Sequence, residues 1–326
     1  MLVASSAIRE NFVDIDVPGV AWVILAGIIL GLLAIDLYRH REAHEPTARE
    51  ALLESGFWVL CGVLFGVGVA VAWGSEAFGE YISGYLIEKS LSIDNVFVWA
   101  MIFSTLAIPL RYQHRVLFWG IFGALTLRAI FIGVGSALIS RFIWVLIVFG
   151  VFLIYTGIRV IRHREGEGEQ ATRGLSLVRR FMPVSEEFDG QKFFTRIDAR
   201  RMATPLFSAL VVIEISDVIF AVDSVPAILA VSNEPYLVFA SNAFAILGLR
   251  AMYFLLANAR QRFHYLSHAL GAILIFVGVK MTIANWYHVD TYVSLAIIAV
   301  ILVLAIWLSE LKTRRLAAAE ASEDAG

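Results

Sequence analysis

The sequence contains one cysteine, Cys61, and little charge for its length. A single cysteine excludes an internal disulfide framework and a cluster of thiolate metal ligands. Charged residues make up 17% of the 326 residues, whereas soluble domains have about a quarter. Apolar residues are abundant instead: 59% of the chain is hydrophobic, and the mean hydropathy is +0.77. This composition predicts a membrane protein.

Apolar runs near the bilayer-spanning length of roughly 17–25 residues recur along the whole chain. They predict an all-α polytopic membrane protein with about nine transmembrane helices. The predicted spans are Val20–Leu37, Gly56–Trp73, about Tyr81–Ile108, Val116–Ile139, Phe142–Ile161, Pro205–Val231, Tyr236–Ala257, Leu266–Ile283 and Val293–Leu308. The residues before the first span carry acids and no basic region, so we expect no cleavable signal peptide.

Basic residues follow every second predicted span, which sets the expected orientation. The basic connections contain Arg39, Arg41, Arg49, Arg111, Arg115, Arg162, Arg164, Arg179, Arg180, Arg260, Arg262, Arg314 and Arg315, whereas the other connections are acidic or neutral apart from Arg141. We therefore expect an extracytoplasmic N-terminus and a cytoplasmic C-terminus in a cytoplasmic membrane. The 162–204 connection is the only sizeable segment outside the membrane, and it has no nucleotide or nucleophile motif.

Two groups of three spans resemble each other in sequence. "SIDNV" at 92–96 aligns with "AVDSV" at 221–225, and "ALTLRAIF" at 124–131 aligns with "AILGLRAMYF" at 245–254. "GVFLIYTGIR" at 150–159 aligns with "GAILIFVGVK" at 271–280. The predicted orientation makes the two groups enter the membrane from opposite sides, as in the inverted repeats of secondary transporters.

This repeat divides the chain into predicted regions. They are extracytoplasmic residues 1–19, two peripheral helices in 20–73, a first repeat in 81–161, a cytoplasmic loop in 162–204, a second repeat in 205–283, a last helix in 293–308 and a cytoplasmic tail in 309–326.

Five carboxylates fall inside the predicted spans of the two repeats: Glu88, Asp94, Glu214, Asp217 and Asp223. Each costs at least roughly 2.5–3.5 kcal/mol at mid-bilayer when ionised, so these side chains must be protonated, paired or wetted by a cavity. One interpretation is structural pairing with Arg128 and Arg250. Even so, five acids against Arg128, Arg250 and Lys89 leave two negative charges, which a divalent cation or two protons would balance.

The residues beside these acids supply oxygen ligands. Asn95 is the predicted amide ligand, and Ser92, Ser216 and Ser224 carry hydroxyls. Neither motif contains histidine, cysteine or methionine. Oxygen donors suit Mg²⁺, Ca²⁺ and Mn²⁺. The predicted metal ligands are therefore Glu88, Asp94, Asn95, Glu214, Asp217 and Asp223, with Arg128 and Arg250 balancing charge.

Two further residues have a functional and a structural interpretation. Pro226 lacks an N–H, so the carbonyl of Val222 loses its helical partner, and the freed oxygen could line a cavity or accompany a packing kink. Asp36 lies at the inner end of the first span, where it is either a solvated helix end or a weak candidate ligand.

The motifs "GYLIEKSLSIDNVFV" and "EISDVIFAVDSVPAI", with "SNAFAILGLRAMYF" after the second, resemble the signature regions of the TerC family, in particular its Alx-type members. Phe193 and Phe194 before "ATPL" resemble the family as well. TerC proteins are bacterial integral membrane proteins associated with tellurite-resistance operons, and several are linked to Mn²⁺ efflux. The resemblance implies that the five acids are the family's motif acids. Tellurite is an anion, which a carboxylate-lined site would repel.

These observations favour a secondary transporter that moves Mn²⁺ outward, with Mn²⁺ as substrate rather than as a prosthetic group. We expect neither enzymatic activity nor a nucleic-acid partner, and the lipid bilayer is the expected surrounding. The alternatives are a membrane redox modulator and a scaffold for other membrane or secreted proteins.

Overall fold

The computed structural model describes residues 13–39, 47–142, 144–162, 183–185, 188–197, 200–256, 265–283 and 289–323. These residues form α1 Gly19–Arg39, α2 Ala48–Thr105, α3 Leu110–Arg141, α4 Trp144–Arg162, β1 Phe194–Ile197, β2 Arg200–Ala203, α5 Pro205–Leu229, α6 Pro235–Leu247, α7 Leu249–Leu256, α8 Leu266–Ile283 and α9 Thr291–Glu323. The described chain is therefore nearly all helical.

Six helical segments among the described residues are long and apolar enough to cross a membrane. They are Gly19–Arg39, Arg49–Thr105, Leu110–Leu138, Pro205–Leu229, Pro235–Leu255 and Thr291–Arg315, and His268–Ile283 is a shorter apolar helix. The prediction of a polytopic helical membrane protein is confirmed. The count of nine spans and the inverted repeat stay predictions.

The predicted span Gly56–Trp73 and residues 81–105 of the predicted span Tyr81–Ile108 lie on the single long helix α2. Its backbone leaves the helical conformation at Gly74, where φ is +92° and ψ is 177°. Glycine reaches positive φ without the steric cost that a Cβ would impose. The chain thus turns at Gly74 and resumes a helix at once, instead of forming the longer connection that the sequence predicted.

The helices differ in how much of their surface the protein covers. In Pro235–Leu255, which comprises α6 and most of α7, 89% of the most apolar 18-residue stretch is buried. The corresponding shares are 22% in α1 and 17% in α9. The buried residues of α1 recur every fourth position up to Leu33, so this helix presents one narrow stripe to the bundle. The element that carries the end of the second motif, α6, is therefore central, whereas α1 and α9 lie at the periphery.

A small antiparallel hairpin lies in the connection predicted as a cytoplasmic loop. β1 pairs with β2 in a register that places Phe194 opposite Ala203. Phe194 packs on Phe207 at the start of α5, with 4.6 Å between ring centroids. The hairpin therefore ties the connection to the first turn of α5, a contact that the sequence analysis did not predict.

Helices α4 and α8 cross at two glycine pairs. A Cβ on Gly157 would lie 2.6 Å from the carbonyl oxygen of Gly271, and a Cβ on Gly278 would lie 2.6 Å from that of Gly150. Small residues of this kind let membrane helices bring their backbones together. In the sequence alignment Gly150 matches Gly271 and Gly157 matches Gly278, so the two contacts exchange equivalent positions.

We expect Gly157→Ala and Gly278→Ala each to destabilise the protein, because the added methyl group meets backbone that cannot rotate away. Overpacking of this kind costs typically roughly 1–3 kcal/mol. Thermal unfolding of the purified protein in detergent measures the loss. Gly133→Ala is the matched control, since a Cβ there meets no atom within 4 Å. An unchanged melting temperature in both crossing variants would contradict the close backbone contact.

Candidate functional site

Glu88 of α2 forms an ion pair with Arg128 of α3 inside the helix bundle. The Glu88 side chain has 0% exposure and that of Arg128 has 2%. Ser92, one turn after Glu88, donates its hydroxyl to Oε1 at 2.9 Å, and Asn242 of α6 donates its amide to Oε2 at 3.2 Å. Three helices therefore supply hydrogen-bond donors to this one carboxylate.

Asp217 of α5 joins the same polar region from the other motif. Asn95 Nδ2 donates to Asp217 Oδ1 at 3.3 Å, and Arg128 Nη1 donates to the Ser224 hydroxyl at 3.2 Å. Asp217 is buried and lies within electrostatic range of both Arg128 and Glu88. We call this group the central cluster; its members are Glu88, Ser92, Asn95, Arg128, Asp217, Ser224 and Asn242.

One polar atom of the central cluster lacks a hydrogen bond to the described residues. The buried Nε of Arg128 has no hydrogen-bond partner among the described residues. The guanidinium already neutralises Glu88, so a metal ion that binds this carboxylate has to compete with Arg128 for its oxygen. The ion pair with Arg128 gives Glu88 a counter-charge in the helix bundle.

The other predicted ligands have different positions. Glu214 of α5 lies beside Gly123 in a groove between α3 and α5. Pro226 is inside α5, which continues to Leu229. Asp94 and Asp223 lie on α2 and α5, next to Asn95 and Ser224, but their side chains are outside those that the structure describes.

Among the described side chains, no three histidine, cysteine, aspartate or glutamate residues lie close enough together to hold a metal ion. The described part of the central cluster supplies two carboxylates, amide oxygens and hydroxyls, all of which are hard oxygen donors.

Both motifs lie in a region that matches a known protein family. The model of the "Integral membrane protein TerC family" matches residues 73–317, which include both motifs and most of the chain. The chain belongs to the TerC family. No solved structure matches it significantly.

Two relatives cover nearly the whole of this TerC-family chain. "Uncharacterized membrane protein STKORF319" of Myxococcus xanthus is 48% identical over 307 residues, which cover 94% of this chain and 96% of that protein. "Putative membrane-bound redox modulator Alx" of Escherichia coli K12 is 44% identical over 296 residues, which cover 87% of this chain and 92% of that protein. The resemblance to Alx-type members of the TerC family is confirmed.

Arg250 forms ion pairs with two carboxylates outside the motifs. Its Nη2 lies 2.5 Å from Asp36 Oδ1 on α1 and 3.9 Å from Glu54 Oε2 near the start of α2. These partners lie in the last turn of α1 and in the second turn of α2. The helical path breaks at Gly248, two residues before Arg250, and Asp36 lies in the last turn of α1, which ends at Arg39. Asp36 is accordingly buried and paired, not a solvated helix end.

Lys89 has a partner that the sequence analysis did not predict. Its Nζ donates to the carbonyl oxygen of Ala245 at 3.0 Å, close to the break at Gly248 between α6 and α7. A Cβ on Gly248 would lie 3.1 Å from this ammonium. Lys89 therefore caps the carboxyl end of α6, where helix carbonyls lose their partners and the helix dipole favours positive charge.

Glu80 is a buried carboxylate that the sequence analysis placed in a connection. It is 2% exposed, and its Oε1 accepts a hydrogen bond from the Val13 amide at 2.8 Å. Lys280 lies within electrostatic range and donates to the Ser294 hydroxyl at 3.0 Å. Glu80 precedes Glu88 by eight residues, roughly 12 Å along a helix and about 80° around it. This spacing gives no sequence signal that Glu80 is buried.

Proposed function

We propose that this TerC-family protein is a secondary transporter of hard divalent cations and that its main substrate is Mn²⁺, exported across a bacterial cytoplasmic membrane. The observation that carries this proposal is the central cluster. It joins a buried carboxylate from each of the two motifs through Arg128 and Asn95. An intramembrane ionisable group is costly, and functional sites are where such groups are typically found.

The chemistry of the cluster supports a hard cation as the substrate. Glu88, Asp217 and Asn95 provide oxygen ligands, and Asp94 and Asp223 occupy the adjacent positions in the two helices. Carboxylate and amide oxygens suit Mn²⁺, Mg²⁺ and Ca²⁺. The ion pair with Arg128 stabilises Glu88 in the empty state, and a divalent ion would displace the guanidinium.

The proposed mechanism is alternating access between two inverted repeats, residues 81–161 and 205–283, in a bundle of nine spans. The reciprocal glycine contacts between α4 and α8 support it, since a two-fold axis in the membrane plane exchanges equivalent residues in this way. The central cluster also exchanges equivalent positions. Asn95 contacts Asp217. Ser224, which aligns with Asn95, is linked through Arg128 to Glu88, which aligns with Asp217. The N-terminus lies outside and the C-terminus in the cytoplasm.

The test is ion flux in sealed vesicles that contain the purified protein. Vesicles loaded with a Mn²⁺-sensitive dye should respond to external Mn²⁺ far faster than protein-free vesicles, and a pH gradient should change the rate. Mg²⁺ and Ca²⁺ in separate arms rank the three ions. A rate equal to that of protein-free vesicles for all three ions, with and without the gradient, would contradict the proposal.

The relatives named as redox modulators support a second candidate function. The chain has one cysteine, Cys61, so thiol–disulfide exchange between two of its own cysteines is impossible. A redox role would have to use a bound chromophore or a partner's thiol. The absorbance spectrum of the purified protein, recorded before and after dithionite, separates this function from transport.

Asp94→Asn and Asp223→Asn, made together, test the two acids at matching motif positions. The amide keeps the size and hydrogen-bonding capacity of each side chain but removes its charge. We expect a protein that reaches the membrane at wild-type level and transports no Mn²⁺, measured by immunoblot and by vesicle flux. A stable and fully active double variant would exclude both acids as ligands.

A further inference from the structure

A cavity of about 330 Å³ lies between α1, α3, α7 and the loop before β1. Its volume is within the roughly 300–1,000 Å³ that is usual for small-molecule sites. The residues that line it are Leu37, His114, Arg115, Phe118, Trp119, Gln191 and Arg250. Leu37 is near the end of α1 and His114 is in the second turn of α3. The cavity therefore lies at the end of the bundle that the basic connections predict to face the cytoplasm.

The polar residues of this lining are all hydrogen-bond donors. Arginine, glutamine and histidine side chains each carry at least one N–H group, and the lining contains no aspartate or glutamate among the described residues. Arg250 is balanced by its ion pairs with Asp36 and Glu54. Arg115 has no ion pair with a described residue, and its guanidinium lies 5.1 Å from the ring centroid of Phe193. One positive charge in the cavity is thus not balanced by the cavity walls.

The loop before β1 is fixed on both sides of Gln191. Phe188 packs on Tyr112 of α3, with 5.9 Å between ring centroids, and the Thr204 hydroxyl donates to the carbonyl oxygen of Lys192 at 2.8 Å. A guanidinium stacked on an aromatic ring keeps its N–H groups free in its own plane. The guanidinium over the loop's aromatic ring and the Gln191 amide are therefore preorganised donors for an anion.

The other side of the cavity is apolar and faces the lipid. Leu37 is 48% exposed and Trp119 is 43% exposed, and Phe118 completes this wall. Trp119 follows Arg115 by four residues, which is about 6 Å along α3. Because α3 enters the membrane from its first residues, the apolar wall lies deeper than the guanidinium. A phospholipid has the same order, with its phosphate at the interface and its acyl chains below.

We propose that this cavity binds an anionic phospholipid of the cytoplasmic leaflet. Arg115 and Gln191 hold the phosphate, and the first part of an acyl chain lies along the apolar wall. Arginine binds phosphate oxygens through two parallel hydrogen bonds, and basic pockets between transmembrane helices on the cytoplasmic side suit lipid headgroups. A zwitterionic lipid binds less well, because its ammonium group meets only donors and positive charge. The inference does not depend on the transport of a cation.

The stability of the purified full-length protein in detergent tests this proposal. A ligand that binds only the folded state raises the melting temperature, by about 5 °C at a concentration near 100 times its dissociation constant. We expect this rise with phosphatidylglycerol, a smaller one with phosphatidylcholine and none with inorganic phosphate. Arg115→Gln should remove the difference between the two lipids. Arg111→Gln is the matched control and should keep it, because Arg111 is an exposed arginine one turn earlier on α3 and outside the cavity lining.

A photoactivatable lipid locates the site in the wild-type protein. Phosphatidylglycerol with a diazirine near the start of one acyl chain loses N₂ on illumination, and the resulting carbene inserts into a neighbouring bond. Peptide mass spectrometry should place the adduct on the part of α3 that contains Phe118 and Trp119. Excess unlabelled phosphatidylglycerol should lower the yield, whereas excess phosphatidylcholine should not.

Each measurement has an outcome that overturns the proposal. Equal stabilisation by the two lipids would mean that the cavity does not recognise the headgroup, and equal stabilisation by inorganic phosphate would make it a site for a soluble anion. Adducts that form only elsewhere on the chain would refute the position, and that result requires no variant to fold. An Arg115→Gln protein with the full preference for phosphatidylglycerol would exclude the guanidinium. Absence of Mn²⁺ flux in vesicles would overturn the transport function alone.

Discussion

Asp217→Asn should fold and reach the membrane at the wild-type level and should lose Mn²⁺ transport by at least about 100-fold. Removing even an outer partner of a metal ligand costs roughly 10–100-fold in affinity or activity, and Asp217 is proposed as a direct ligand. Its described hydrogen bond comes from the Asn95 amide, not from an arginine. An asparagine at position 217 can offer its own oxygen to that donor, so the substitution leaves no buried charge without a partner.

Vesicle flux and the amount of protein in the membrane measure the two halves of this expectation. The matched control is Asp189→Asn, an equivalent change at an acid outside the spans that pairs with Lys192. It should leave both quantities unchanged. An Asp217→Asn variant with wild-type flux would remove Asp217 from the site, and a variant absent from the membrane would show that Asp217 is needed for folding.

Glu88→Gln, at the equivalent position of the other motif, should lower the amount of folded protein sharply. It leaves the Arg128 guanidinium buried without its counter-charge, and breaking a buried ion pair from one side typically costs roughly 3–5 kcal/mol. The second substitution Arg128→Gln removes the stranded charge. We expect the double variant to recover most of the protein level while Mn²⁺ flux remains absent, because Glu88 is still missing.

Protein levels in the membrane, thermal unfolding in detergent and vesicle flux together test this expectation. Glu76→Gln is the control on the same helix, where the acid is exposed, and it should behave as wild type. A Glu88→Gln variant as stable as wild type would mean that Arg128 has another adequate counter-ion. Recovery of flux in the double variant would mean that Glu88 serves only to neutralise Arg128.

The two substitutions therefore have different expected effects on stability, none for Asp217→Asn and a large loss for Glu88→Gln, although the sequence places Glu88 and Asp217 at matching positions. The difference comes from one arginine. Arg128 pairs with Glu88, whereas Arg250, its counterpart in the alignment, forms its described ion pairs with Asp36 and Glu54. The alignment predicts which residues are equivalent, but each guanidinium pairs with whichever carboxylate the packing brings near it.

The sequence by itself determined the membrane class, the positions of most helices and the residues of the two motifs. Apolar runs must be helical in a bilayer because lipid offers no hydrogen bonds to the backbone. Leu266–Ile283 accordingly begins and ends at the predicted residues. The break at Gly74 also has a local cause, a positive φ, but glycine is too frequent here for the sequence to single it out.

Only the tertiary structure decided which buried charges meet. Asn242 and Glu88 are 154 residues apart in sequence, and Arg250 and Asp36 are 214 apart, so no local pattern reports their contacts. The same holds for Glu214. The sequence predicts it as a metal ligand, but its side chain lies in a groove between α3 and α5, where Gly123 of the other helix makes room for it. Helix periodicity limits which face a side chain occupies, whereas its neighbours depend on how separate helices pack together.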